Sequence, residues 1–360
     1  MRTIMAGRER GEEMRTRSRA LLAGVAFVVL SMIGGTTGAW AADTCQMVKS
    51  DSLPVVMDGN QPLVKVEVNG HPVYFLVDTG ASLSMILRNK AEELGLPAFS
   101  GRNGTLSGVG GRSDIQTTRI PTFTLGQHTV TDMPLTLSGE RGIGRADVVG
   151  LLGEDVFRKF DVEFDLAHGV INLYQPRGCE TAFLGFWSDA AMTADMRPVN
   201  PQNPKITLDV TVAGQPVRAI LDSGASYSVL SLQAAARAGV TPETPGVVMG
   251  EKAQGIGAKG VQDWVGVFDG FTLGDETIKH AKLRFADLFG MGTYTEAGSR
   301  LAIDNAQNRP EMLLGADFLK AHHVLIAHSQ NRLYFTYNGG PVFQVTGPAL
   351  KRAASGDGTN

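Results

Sequence analysis

Two short segments hold the residues best suited to chemistry: Val77-Asp78-Thr79-Gly80-Ala81-Ser82 and Leu221-Asp222-Ser223-Gly224-Ala225-Ser226. Each offers a carboxylate, a hydroxyl, a glycine and a second hydroxyl in the same order. One such tripeptide means little, because Asp and Gly are ordinary turn formers and Asp commonly caps helices. Two copies mean more, since each follows an apolar run and each carboxylate therefore emerges from a core where an unpaired charge is costly. Two carboxylates brought face to face cannot both ionise easily, so the pair shares a proton and titrates as a unit. One then acts as acid and the other as base at the same pH. A water held between Asp78 and Asp222 could give its proton to the ionised carboxylate as it attacks a carbonyl, while the protonated carboxyl donates to the carbonyl oxygen. Gly80 and Gly224 let the two loops approach closely. Thr79 and Ser223 can donate hydroxyl hydrogen bonds across the loops, and Ser82 and Ser226 can orient the carboxylates from outside.

The elements that must bring the pair together come from a duplication. Val66-Glu67-Val68-Asn69-Gly70-His71-Pro72-Val73 through Asp78 matches Val210-Thr211-Val212-Ala213-Gly214-Gln215-Pro216-Val217 through Asp222 without a gap. Gly108-Val109-Gly110-Gly111 answers Gly255-Ile256-Gly257-Ala258, and Phe123-Thr124-Leu125-Gly126 answers Phe271-Thr272-Leu273-Gly274. Leu151-Leu152-Gly153-Glu154-Asp155 then answers Leu313-Leu314-Gly315-Ala316-Asp317. If the halves pack about a twofold axis, their equivalent loops meet on it and Asp78 faces Asp222.

Each half reads as mostly strand. Val64 to Val68 alternates, Asn69-Gly70 signals a two-residue hairpin turn, and Val73 to Val77 is an apolar run of strand type. Asn89 to Leu96 and Leu232 to Gly239 read as short helices closed by Gly95 and Gly239. Gly153 to Phe160 and Gly315 to His322 read as a second short helix in each half. The proline-bearing stretch 176–204 reads as the connection, and its Phe183, Phe186 and Trp187 are candidates to pack on a domain face.

Composition bounds the class. The 360 residues, 43% hydrophobic and 19% charged, can bury a sizeable core, and 44 glycines against 7% aromatics favour turns and short strands. Residues 1–41 read as a signal peptide: Arg15, Arg17 and Arg19 flank an uncharged run from Ala20 to Gly35, followed by Ala39-Trp40-Ala41, a small-x-small cleavage pattern. The expected location is periplasmic or secreted, with an uncleaved membrane anchor as the alternative. The formal charge is −3, becoming −6 without residues 1–19, which carry six Arg and three Glu. A mildly acidic chain gives no reason to propose nucleic-acid binding. Cys45 and Cys179 are the two cysteines. In an oxidising compartment such a pair reads as a disulfide in preference to a metal or catalytic site, with two free thiols as the alternative.

With these motifs in view, the chain resembles the pepsin and retropepsin superfamily, in particular a bacterial-type aspartyl protease with two fused repeats. The resemblance covers roughly residues 60–175 and 205–337. That superfamily is the standard illustration of two carboxylates sharing one proton. It implies a mainly β, bilobal acid-protease fold with two homologous barrel-like lobes and short helices. It also implies that the two Asp-Thr/Ser-Gly motifs are catalytic and that Leu151-Leu152-Gly153 and Leu313-Leu314-Gly315 cross beneath them. The resemblance assigns Gly108, Val109, Gly110 and Gly111, and Gly255, Ile256 and Gly257, to substrate-covering flaps. Pepsin-like enzymes have one flap with a tyrosine, whereas here both glycine turns are candidates and neither has a tyrosine, which points to the retropepsin style. Expected boundaries are 42–180 for the first lobe, 181–204 for the linker, 205–345 for the second lobe and 346–360 for a flexible tail. The expected partner is a polypeptide substrate and the expected state a monomer. No metal or organic cofactor is implied.

The rival reading is a catalytically silent peptide-binding or scaffolding protein of the same fold, although both aspartates, both glycines and both hydroxyls are present. The seven histidines, His322, His323 and His328 among them, show no ligand spacing such as H-E-x-x-H and read as solvated or core residues. Asp155 and Asp317, each after a glycine at an expected helix start, read as capping or structural carboxylates. Gly108 to Gly111 lacks the Gly-Lys-Ser/Thr of a phosphate loop, and Gly80-Ala81-Ser82 lacks the Gly-x-Ser-x-Gly of a serine-hydrolase elbow.

Overall fold

A computed structural model describes residues 45–108, 111–139, 143–199, 204–253, 260–288 and 310–343. The expected signal segment, flap residues Val109, Gly110, Gly255, Ile256 and Gly257, and the expected tail lie outside the described residues. The first half of the chain contributes β1 (Gln46–Asp58), β2 (Gln61–Val68), β3 (His71–Val77), β4 (Met85–Leu87), α1 (Arg88–Glu93), β5 (Phe99–Gly108), β6 (Gly111–Leu125), β7 (His128–Ser138), β8 (Val148–Leu152), α2 (Glu154–Phe157), β9 (Asp161–Asp165) and β10 (Val170–Arg177). After β11 (Met192–Asp195), the second half contributes β12 (Thr207–Val212), β13 (Gln215–Leu221), β14 (Val229–Ser231), α3 (Leu232–Arg237), β15 (Val248–Ala253), β16 (Val261–Leu273), β17 (Glu276–Ala286), β18 (Met312–Leu314), α4 (Ala316–Ala321), β19 (His322–Ala327) and β20 (Arg332–Tyr337).

The duplication seen in the sequence is a duplication of strand order. In one sheet β2, β3, β8, β4, β7, β6 and β5 follow one another, and β2 also pairs with β6; in the other β12, β13, β18, β14, β17, β16 and β15 follow, and β12 also pairs with β16. The extra pairing closes six strands of each set on themselves, leaving β5 and β15 as edges. Alternation sets which residues fill the interior: Val64, Val66 and Val68 of β2 and Leu208, Val210 and Val212 of β12 are all buried. The turn at Asn69-Gly70, with φ of 52° and 79°, recurs at Ala213-Gly214 with 46° and 75°. Left-handed backbone at both central residues suits the right-handed twist of a two-residue hairpin, and Ala213 adopts it without being glycine. The four short helices fall where the sequence places them. α2 spans only Glu154–Phe157, because β9 takes up the chain at Asp161.

Local pattern did not reveal how the two sets join. The larger sheet runs on through β1, β10, β9, β19, β20 and β11. At its centre β9 and β19 are antiparallel, and Glu163 faces Leu325, its own counterpart in the repeat that aligns Gly153 with Gly315. A local twofold axis therefore passes between these strands. The expected linker holds β11, which pairs with β20, and its aromatic residues pack on the shared sheet: Phe183 meets Tyr334 edge-on, and Trp187 stacks on His323. Cys45 and Cys179 form a disulfide that ties the start of β1 to the chain just beyond β10. Among the described residues no helix is long and apolar enough to cross a membrane.

Candidate active site

The parallel pairs β3–β8 and β13–β18 deliver the two aspartates. Each Asp sits one residue past the end of its strand. Its backbone N–H still extends the ladder, Asp78 to Leu152 O and Asp222 to Leu314 O, both at 2.9 Å. The chain then turns sharply, with Ala81 N–H returning to Asp78 O and Ala225 N–H to Asp222 O. The apolar crossing segments expected from resemblance are thus β8 and β18, and they fix the height at which each carboxyl leaves the core.

Across the axis the two loops grip each other symmetrically. Thr79 N–H donates to Ser223 Oγ and Ser223 N–H to Thr79 Oγ1, both at 3.0 Å. Thr79 Oγ1 donates onward to Leu221 O at 2.8 Å, and Ser223 Oγ donates to Val77 O at 2.6 Å. Both side chains are buried, so each hydroxyl satisfies a donor and an acceptor that water cannot reach. The glycines are dictated by proximity: a Cβ on Gly80 would lie 2.5 Å from Asp222 Oδ1, and one on Gly224 would lie 2.6 Å from Asp78 Oδ1. Each glycine thus lies directly against the opposite carboxyl, and a side chain at either would push the pair apart.

Burial raises both carboxyls above the ordinary range. Asp78 is pushed furthest, by burial and then by the negative charge and hydrogen bond of Asp222. Asp222 is held lower by the charge of Lys205 and by backbone N–H groups: Gly224 and Ala225 both donate to its Oδ1 at 3.0 Å. The two carboxyls are therefore a hydrogen-bonded couple that titrates as a unit, both members raised by burial.

Other expected residues find different places. Asp155 and Asp317 do not cap α2 and α4, whose N-caps are Gly153 and Gly315. Both reach across to a serine, and Asp317 Oδ1 also accepts from Phe318 N–H in its own helix at 2.9 Å. Asp155 Oδ1 accepts from Ser84 N–H and Oγ–H, and Ser84 Oγ in turn accepts from Gly153 N–H; Asp317, Ser228 and Gly315 repeat this triangle. Both triangles brace the aspartate loops from outside. Ser226 enters through its carbonyl, which accepts from Asn60 Nδ2 at 3.0 Å, while Gln61 Nε2 donates to Gly224 O. Gly108 pairs with Gly111 at the tip of the β5–β6 hairpin, and β15–β16 is the matching hairpin of the second half. His322 donates from Nδ1 to Phe318 O at 2.8 Å and bonds Glu276 Oε1 through Nε2 at 3.1 Å, and His323 bonds Glu163 Oε1 at 2.9 Å. Sequence reasoning passed over Ser84, Ser228, Asn60 and Gln61; the repeat could have flagged the two serines, which occupy matching positions six residues past each Asp.

A family model described as aspartyl protease matches residues 64–156 and 208–318. The chain is 32% identical over 131 residues to DNA damage-inducible protein 1 of Kluyveromyces lactis, which is 34% of this chain and 27% of that protein. It therefore spans about a quarter of the length of that curated relative. Among solved structures it is similar to an aspartic proteinase from Irpex lacteus, with a TM-score of 0.48, 14% identity, and coverage of 79% of this chain and 96% of that one. The two matched segments contain Asp78 and Asp222 and together take in more than half of the sequence, and on that ground the chain belongs to the aspartyl protease family.

Proposed function

We propose that the protein is an aspartic endopeptidase that hydrolyses peptide bonds by a water activated between Asp78 and Asp222. The observation that carries this reading is the buried, hydrogen-bonded carboxyl couple held by reciprocal bonds between Thr79 and Ser223. A water on the couple loses its proton to Asp222 as it attacks the peptide carbonyl, and Asp78 donates its proton to the carbonyl oxygen. Collapse of the resulting gem-diol passes a proton to the leaving amine, so the couple ends with the one proton it began with. The substrate lies extended, with backbone hydrogen bonds offered by the hairpins β5–β6 and β15–β16. The apolar run before Ala39-Trp40-Ala41 and the disulfide both suit an exported enzyme, and the mass of the mature chain tests that point.

Asp78→Asn and Asp222→Asn are each expected to lower peptide hydrolysis by about 10²–10⁴-fold while leaving thermal unfolding close to wild type. A peptide-library digest at several pH values, run on wild type and Asp78→Asn, reads this directly. Equal product sets from the two proteins would sink the proposal and leave a peptide-binding role.

A further inference from the structure

Around the aspartates the two halves match closely, and the departures from that match are where asymmetry enters. Gln61 heads β2, and its counterpart in the repeat is Lys205, just ahead of β12. Gln61 shows what the position does: its side chain crosses the axis and donates to the carbonyl of Gly224, inside the opposite aspartate loop. Lys205 occupies the matching position in the second half, and its charge reaches both Asp78 and Asp222. The amide of the first half is replaced there by a half-buried ammonium.

We infer that Lys205 is a positioning residue of the aspartate couple, one whose charge sets the pH range in which the couple is singly ionised and works. This rests on the hydrolytic reading above and adds to it a source for the asymmetry of an otherwise symmetric site. The electrostatics agree, since Lys205 favours the ionised form of both Asp78 and Asp222 against the burial that opposes it. The other charged groups around the couple are buried or hydrogen-bonded to partners of their own, and of these Glu154 also feels the charge of Asp78. Glu154 of α2 is buried and keeps its proton up to about pH 8. Asp155 and Asp317 each accept two hydrogen bonds from Ser84 and Ser228. Lys320 of α4 bonds Asn60 Oδ1 at 3.3 Å.

The sign of the effect is distinctive. A cation that favours both carboxylates lowers both ionisations, so its removal raises both. The acid and alkaline limbs of the rate profile should then move upward together, without narrowing. A lysine that merely supported the fold would reduce the height of the profile and leave its limbs in place.

The test compares wild type, Lys205→Gln, which installs the residue of the first half, and Lys205→Arg. Two readouts are taken on the full chain: the pH profile of kcat/KM on a cleaved peptide, and the titration of the two carboxyl carbons by ¹³C NMR, assigned with Asp78→Asn and Asp222→Asn. In Lys205→Gln both limbs and both carboxyl midpoints should rise by about one pH unit, which makes activity up to about tenfold lower on the acid limb and up to about tenfold higher on the alkaline limb. Lys205→Arg should retain the wild-type values. Unmoved carboxyl midpoints in Lys205→Gln, or an equal displacement in Lys205→Arg, would overturn the assignment. Displaced midpoints in a protein that cleaves no peptide would uphold Lys205 and overturn the peptidase reading instead.

Discussion

Glu154 shows how much a single side chain can change beneath a symmetric site. Its backbone N–H bonds Ala81 O at 2.9 Å, as that of its counterpart Ala316 bonds Ala225 O at 2.8 Å, so the two positions are structurally equivalent. The Glu154 carboxyl, however, is buried, 3.5 Å from His328 Nε2. Burial raises Glu154 from 4.5 to about 8 and lowers His328 from 6.5 to about 4. The folded pKa of Glu154 lies above its unfolded value, so its contribution to stability is full below pH 4.5 and is lost as pH rises through 8. For His328 the contribution is full above pH 6.5 and is lost as pH falls through 4. At neutral pH the Glu154 proton costs about 3 kcal/mol, and Glu154→Gln should recover part of it. The stability gain of Glu154→Gln over wild type, from denaturant unfolding, should grow by about 1.4 kcal/mol per pH unit between pH 5 and 8. A gain that stays constant with pH would show that the carboxyl does not hold its proton. The paired aspartates, glycines and hydroxyls were legible in the sequence because they occur twice. Glu154 and Lys205 were not, because each occurs once, and a reading built on recurrence passes over what breaks it.

At the scale of elements, the aspartate loops are held less by their strands than by each other. Thr79 Oγ1 accepts from Ser223 N–H and donates to Leu221 O, so Thr79→Val keeps the shape and strands two buried backbone groups. We expect a loss of about 2–3 kcal/mol in urea unfolding and a fall in kcat with KM little changed. Ser223→Ala should behave alike, and because each hydroxyl accepts from the backbone N–H of the other residue the double variant should cost less than the sum. Additive losses would mean the bonds act separately. The elements themselves were readable: the Asn69-Gly70 turn, the helices closed by Gly95 and Gly239, and the apolar crossings each have a local cause. Asp155 and Asp317 were read as capping or structural carboxylates, and the structural role holds: sequence alone does not tell a carboxylate that caps its helix from one that bonds a serine 71 or 89 residues earlier.

At the scale of the whole molecule, the sheet shared by the two halves could not be read from local alternation, since β9 and β19 lie far apart in the chain and either would serve as an ordinary edge. The disulfide closes the first half of that sheet by joining the start of β1 to the end of β10, which already pair in register from Gln46 and Arg177. Replacing Cys45 and Cys179 by Ser should lower the unfolding free energy by about 2–4 kcal/mol and leave kcat/KM near wild type below the transition, because the bridge lies away from the aspartate loops. A matching loss of activity at low temperature would tie the bridge to the site.

The β9–β19 pair also sets an order of events. A growing chain makes the strands of its first six-strand closure, its first aspartate loop and β9 long before His322, yet β9, already beside β10, gains its second neighbour only when β19 arrives. Until then one side of β9 is an open strand edge. The contact that completes the sheet is thus also the one that removes an edge on which an unfinished chain could pair with a neighbour.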